Sequence, residues 1–157
     1  MTIHNFKKQE IYQKALGKWG IAAQIDVAIE EMAELSFEIL ENQEGKNKNH
    51  EEIREEIADT IIMIEQLKIY FAPDKVFELD DSTFNKNTSN ELLKMIAKMT
   101  KLLIKYKRGF PVEKDVVDNL YSLWRLTKIY AKMWDASKID NYIEYKLGRV
   151  LEFLAEE

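Results

Sequence analysis

Between Ile21 and Ile39 the apolar residues Ile21, Ile25, Ala28, Met32, Leu35 and Ile39 recur at alternating steps of four and three. That spacing keeps one stripe on one side of an α-helix. A similar seam runs through Ile53, Ile57, Ile61, Ile64 and Phe71, and another through Ile139, Ile143, Leu147, Val150, Leu151 and Leu154. With five Gly and two Pro in 157 residues, few positions can break such helices. The abundance of Glu, Lys, Leu, Ile and Ala favours helix throughout. The expected fold class is therefore all-α, a helical bundle of about six helices.

The boundaries follow from caps and breakers. Thr2 caps a first helix to about Leu16, with Gly17 as its stop. A second opens near Trp19 and ends at Gly45. Asn49 with Glu52 has the spacing of a capping box for a third, which runs to Ala72-Pro73. Thr88 with Glu91 opens a fourth through Tyr106, before Gly109 and Pro111. A fifth covers roughly Val112 to Met133, and Ser137 opens the last, through about Leu154. The short connection from Gly45 to Lys48 makes helices two and three an antiparallel hairpin. Residues 74–87, DKVFELDDSTFNKN, fit no period and read as a connector. The expected organisation is a hairpin unit over residues 1–73 and a helical second half over 88–157 that packs on it.

Ile29-Glu-Glu-Met-Ala-Glu-Leu35 aligns with Ile96-Ala-Lys-Met-Thr-Lys-Leu102, and Asp59 with Asp118 in a matching apolar context. The second half reads either as a degenerate copy of the first hairpin or as chance similarity between amphipathic helices. Under the first reading Lys98 and Lys101 stand where Glu31 and Glu34 stand, so chemistry using those carboxylates survives once.

Charge and composition exclude several classes. The net charge is 23 − 28 = −5, with residues 1–73 carrying 8 basic and 14 acidic groups and residues 74–157 carrying 15 and 14. The acidic balance disfavours sequence-independent nucleic-acid binding. Absence of cysteine removes disulfides, thiolate zinc sites and thiol nucleophiles, and suits the cytoplasm. Lys7, Lys8 and Glu10 interrupt the amino-terminal segment, which does not fit a secretory signal, and no stretch reaches about 18 apolar residues. A cytoplasmic protein without a membrane span is expected.

On a wheel of about 100° per residue centred on Met32, Glu31 falls near −100° and Glu34 near −160°. Centred on Ile57, Glu56 and Asp59 take the same two angles. At about 1.5 Å per residue, Glu34 lies about 15 Å before Gly45 and Asp59 about 15 Å after Asn49, so the levels agree. Four carboxylates therefore converge across the hairpin, unless each pair is simply a solvated face. Two like charges about 6 Å apart at an effective dielectric of 20 repel by about 3 kcal/mol, which a cation offsets. Hard oxygen ligands suit Mg²⁺ or Mn²⁺. A di-iron bundle needs Glu-x-x-His pairs, and neither His4 nor His50 has a Glu three residues before it. Glu30 and Glu55 point further from the seam.

The segments Trp19 to Leu35 and Arg54 to Leu67 closely resemble the MazG-like all-α nucleoside triphosphate pyrophosphohydrolases, whose signature is Glu-x-x-Glu on one helix and Glu-x-x-Asp on the next. The resemblance covers residues 17–72, with a second trace at Tyr142 to Arg149, similar to the end of phage-type members. It implies Mg²⁺-dependent cleavage of a (deoxy)nucleoside triphosphate to its monophosphate and pyrophosphate, with Glu31, Glu34, Glu56 and Asp59 as metal ligands and catalytic groups. Which carboxylate, Glu30 and Glu55 included, takes the proton of water stays open. Trp19, as a stacking surface, and Gln24, on the same edge as Glu31, are the candidates for base binding; a core anchor and a rim polar group are their structural explanations. Lys98 and Lys101 are candidate phosphate contacts if the second half acts as a pseudo-partner, and solvated lysines otherwise. Minimal members of the family resemble dimers, so a pseudo-dimeric chain is expected, with a homodimer as its further assembly. The competing reading is a non-catalytic helical binding module that kept the hairpin and lost turnover.

Overall fold

The computed structural model describes residues 2–46 and 50–156. Among the described residues the chain is all-helical, with six helices: α1 (Thr2–Trp19), α2 (Ile21–Gln43), α3 (His50–Phe71), α4 (Thr88–Lys107), α5 (Glu113–Met133) and α6 (Ala136–Ala155). None of the described helices is long and apolar enough to cross a membrane.

The helix count matches the periodicity, and the differences lie at the ends. α1 runs through Gly17 and stops at Gly20, whose φ of 82° is open to glycine and strained for other residues. Gly20 N donates to Leu16 O and Gln24 N donates to Gly20 O, so hydrogen bonding continues across the break. Trp19 therefore closes α1 instead of opening α2. Gly45 takes φ 71° after α2 as expected, with Lys46 N donating to Glu41 O at 2.9 Å. Asn49 and its capping box lie outside the described residues. Thr88 Oγ1 accepts from Asn85 N at 3.0 Å, so the Thr88 side chain stabilises the preceding turn and Asn87 is the N-cap residue. At α6 the cap is Asp135, not Ser137: its carboxylate accepts from Lys138 N and from the Ser137 hydroxyl.

α2 and α3 form the expected hairpin, and α4 and α5 form a second. Gln43 bonds Asn90 at one end of the α2–α4 contact, and Asp26 pairs with Lys107 at the other, so these helices run antiparallel. Arg54 Nε donates to Trp134 O at 2.7 Å where the start of α3 meets the end of α5. The four helices bury Met32, Leu35, Ile57, Ile61, Met99 and Leu120 at a shared centre, each large apolar side chain contributing about 1.5–3 kcal/mol. α1 and α6 pack on the other side of α3.

Residues 74–87 contain no helix, yet they do more than connect. The Phe77 ring sits 5.3 Å from Tyr121 and 5.5 Å from Trp124, and Phe84 lies 5.9 Å from Tyr130. Tyr121 Oη donates to Glu78 O, and Arg125 holds Asp80 and Ser82, so the segment is strapped along α5. Isolated aromatic anchors carry no period, which is why the sequence reads there as plain loop.

Candidate active site

The seam of α2 sinks Met32 and Leu35 into the core and thereby fixes where Glu31 and Glu34 emerge; Ile57 and Ile61 do the same for Glu56 and Asp59 on α3. The two flanks meet. Carboxylate oxygens of Glu31, Glu56 and Asp59 all lie within 4.8 Å of one another, with all three residues partly buried. Glu34 is more exposed and hydrogen-bonds Glu56 from the rim. Thr60, fully buried, donates to Glu31 O at 3.3 Å and ties the two helices together at this level.

The electrostatics are those of a crowded anionic centre. Burial first, then the charges of Asp59 and Glu34, push the Glu31 carboxyl up to about 7, against the pull of Lys146. Glu56 is pushed up to about 8, by burial, by its hydrogen bond with Glu34, and by the charges of Glu34, Asp59 and Glu31. Glu31 Oε2 and Glu56 Oε2 are buried without a hydrogen-bond partner, each costing about 1–3 kcal/mol while unmet. Unmet oxygens in an all-carboxylate donor set fit a hard divalent cation.

One cation already faces the cluster. Lys146 of α6 places Nζ 2.7 Å from Asp59 Oδ1, with both side chains about three-quarters buried. Burial opposes the charge of Lys146, but the hydrogen bond and charge of Asp59, together with Glu55 and Glu31, raise its pKa overall. Lys146 satisfies Asp59 and leaves the orphaned oxygens of Glu31 and Glu56 unmet.

A cavity of about 390 Å³ adjoins the cluster, lined by Trp19, Gln24, Val27, Met63, Gln66 and Leu147 among others. Val27 lies one turn before Glu31, Met63 one turn after Asp59, and Leu147 directly follows Lys146, so cavity and carboxylates are neighbours on three helices. Trp19 is 41% exposed, so it lines the mouth and is no core anchor. Gln24 and Gln66 are 6% and 3% exposed, so both carboxamides are buried within this wall. In an otherwise largely apolar wall these two side chains supply carboxamide groups.

Of the residues singled out from sequence, Glu31, Glu34, Glu56 and Asp59 come together, and Trp19 and Gln24 line the adjoining cavity. Lys98 instead lines a separate groove between α4 and α5, and Lys101 is exposed; neither acts on the acids. Glu30 and Glu55 are exposed, acting on Glu31 and Lys146 from outside. Sequence reasoning misses Lys146 and Gln66. Gln66 sits seven residues after Asp59 as Gln24 sits seven before Glu31, so the antiparallel hairpin brings two turns of each helix to one side of the acids. Lys146 lies inside the Tyr142 to Arg149 trace, which assigns it no role.

Compared with models of protein families, with curated proteins and with solved structures, the chain matches none.

Proposed function

We propose that the chain is an Mg²⁺-dependent hydrolase of (deoxy)nucleoside triphosphates, giving the monophosphate and pyrophosphate. The observation that carries this reading is the convergence of Glu31, Glu56 and Asp59 on one point with two orphaned oxygens, beside a cavity of about 390 Å³, within the range of small-molecule sites. The sequence resemblance of residues 17–72 to MazG-like hydrolases, resting on the same acidic pairs, points the same way. Glu31, Glu56 and Asp59, with Glu34 at the rim, would hold Mg²⁺ (or Mn²⁺), which would supply charge neutralisation for a polyphosphate and lower the pKa of a water.

The chain's own groups account for the rest. Without a cation, Glu31 and Glu56 are pushed up to about 7 and about 8, so near neutral pH protons stand in for the counter-charge that a divalent ion would supply. Lys146, its ammonium held beside the acids by Asp59, is placed to meet a phosphoryl oxygen. Trp19 provides a ring face at the cavity mouth, and Gln24 and Gln66 each present a donor and an acceptor to the polar edge of a base.

A panel of canonical and modified (d)NTPs with Mg²⁺ or Mn²⁺, scored separately for pyrophosphate and orthophosphate, tests the reading. Pyrophosphate and monophosphate in equal amounts are expected. Orthophosphate alone would mean a different reaction, and no release from any substrate would favour the non-catalytic module. A second expectation concerns the cavity: Gln66→Ala should raise KM about tenfold on the best substrate, the worth of about 1.4 kcal/mol, with a smaller change in kcat. Unchanged KM would remove Gln66 from base binding.

A further inference from the structure

Lys98 belongs to a groove of about 370 Å³ between α4 and α5, lined by Glu91, Lys94, Met95, Lys98, Ser122 and Arg125, with Leu126. We infer that this groove is a second binding site, separate from the carboxylate centre, for an organic phosphate, with its phosphoryl group on Lys94 and Lys98 and its less polar body on Met95 and Leu126.

Four observations carry it. Lys94 and Lys98 stand one turn apart on the same side of α4 and have no ion pair among the described residues. Two like charges at this spacing destabilise a helix slightly unless a ligand answers them. Arg125, by contrast, is held in place: its Nε lies 3.1 Å from Asp80 Oδ2 and its Nη2 donates to Ser82 Oγ at 2.7 Å. That fixes the guanidinium at the groove wall while leaving Lys94 and Lys98 as its unneutralised charges. A phosphate monoester carries about −1.5 to −2 charges at neutral pH, which matches two free ammoniums. Ser122, one turn before Arg125, adds a hydroxyl donor, and the volume falls within the usual range of small-molecule sites. Glu91 is the one carboxylate in the lining, one turn before Lys94, and with Arg125 paired to Asp80 the two lysines still leave the groove with a net positive charge.

The groove draws on α4 and α5, and the carboxylate centre on α2, α3 and α6, so this inference stands whether or not the chain hydrolyses nucleotides. Titration calorimetry on the full chain in EDTA, with orthophosphate, pyrophosphate and AMP as probes, tests it. Saturable binding of one equivalent is expected, tighter for AMP than for orthophosphate. The double variant Lys94→Gln/Lys98→Gln, at exposed positions that leave the core intact, should weaken it at least tenfold, and Lys146→Gln should leave it unchanged. Absence of saturable binding for all three probes would overturn the site. So would loss of binding in Lys146→Gln with the double variant unaffected, which would place the anion at the carboxylate centre. Equal binding of AMP and orthophosphate would overturn the organic body.

Discussion

Glu56→Gln should make the metal-free protein more stable at pH 8.5 while lowering activity by more than about 100-fold. The opposite signs come from one cause. Glu56 sits against Glu34, Asp59 and Glu31, with one oxygen buried and unmet, so ionising it in the absence of a cation is unfavourable. Removing that charge relieves about 1–2 kcal/mol after allowance for solvent screening of a partly exposed site. For a chain of this size that is a rise of about 4 °C in melting temperature in EDTA. Activity moves the other way, because losing a mere outer partner of a metal ligand already costs 10–100-fold and Glu56 presents its oxygen at the centre itself. The increment in melting temperature that Mg²⁺ gives the parent should shrink in the variant.

Asp59→Asn is the control that makes the result specific. Asp59 also repels Glu31 and Glu56, but it holds Lys146 at 2.7 Å, and the substitution leaves that largely buried ammonium without its partner. Its gain in EDTA should therefore fall short of that of Glu56→Gln although both remove one charge. Thermal melts of the two variants beside the parent, with EDTA and with Mg²⁺, read the difference. A destabilised Glu56→Gln in EDTA, or an unaltered response to Mg²⁺, would count against a cation-dependent centre.

How much of this is legible in the sequence depends on the range of the interaction. The acid pairs Glu31/Glu34 and Glu56/Asp59 are set by spacing within single helices, and the short loop after Gly45 sets the pairing of α2 with α3. Both are local, so the wheel suffices. Lys146 reaches Asp59 from α6, and only the packing of α6 on α1 and α3 brings it there. Periodicity holds no information about such an approach. Trp19 falls on the wrong side of a boundary when read from sequence, because Gly17 and Gly20 are equally plausible breakers there; the left-handed φ falls on Gly20, and Gly17 is carried inside α1. Its alignment with Glu31 draws Lys98 toward the acids, whereas α4 turns it to a groove shared with α5. Burial is equally hidden for Gln66, a polar residue on an apolar flank whose place in the cavity wall becomes visible only when α6 packs against it.

The metal-free protein should lose stability as pH rises from about 5 to about 8, the reverse of ordinary acid denaturation. Glu31 and Glu56 start from an ordinary value of 4.5 and stand at about 7 and about 8 in the folded chain. Between those values the folded state holds protons that the unfolded state has released, so the unfolded state binds fewer protons and the stability of the fold falls with rising pH. The contribution is fully present below about 4.5 and is lost as pH passes through the folded values. Each tenfold gain in proton affinity on folding corresponds to about 1.4 kcal/mol, and partial exposure of both groups screens the sum to about 2 kcal/mol, or about 6 °C for a chain of this length. Saturating Mg²⁺ should flatten the slope, because a cation at the oxygens of Glu31, Glu56 and Asp59 replaces the protons as their counter-charge. Melting temperatures from pH 5 to pH 9 in matched ionic strength, with EDTA or with Mg²⁺, measure both slopes. Equal slopes in the two buffers would mean that the four carboxylates repel one another without ever sharing an ion, and the hydrolytic reading would fall with them.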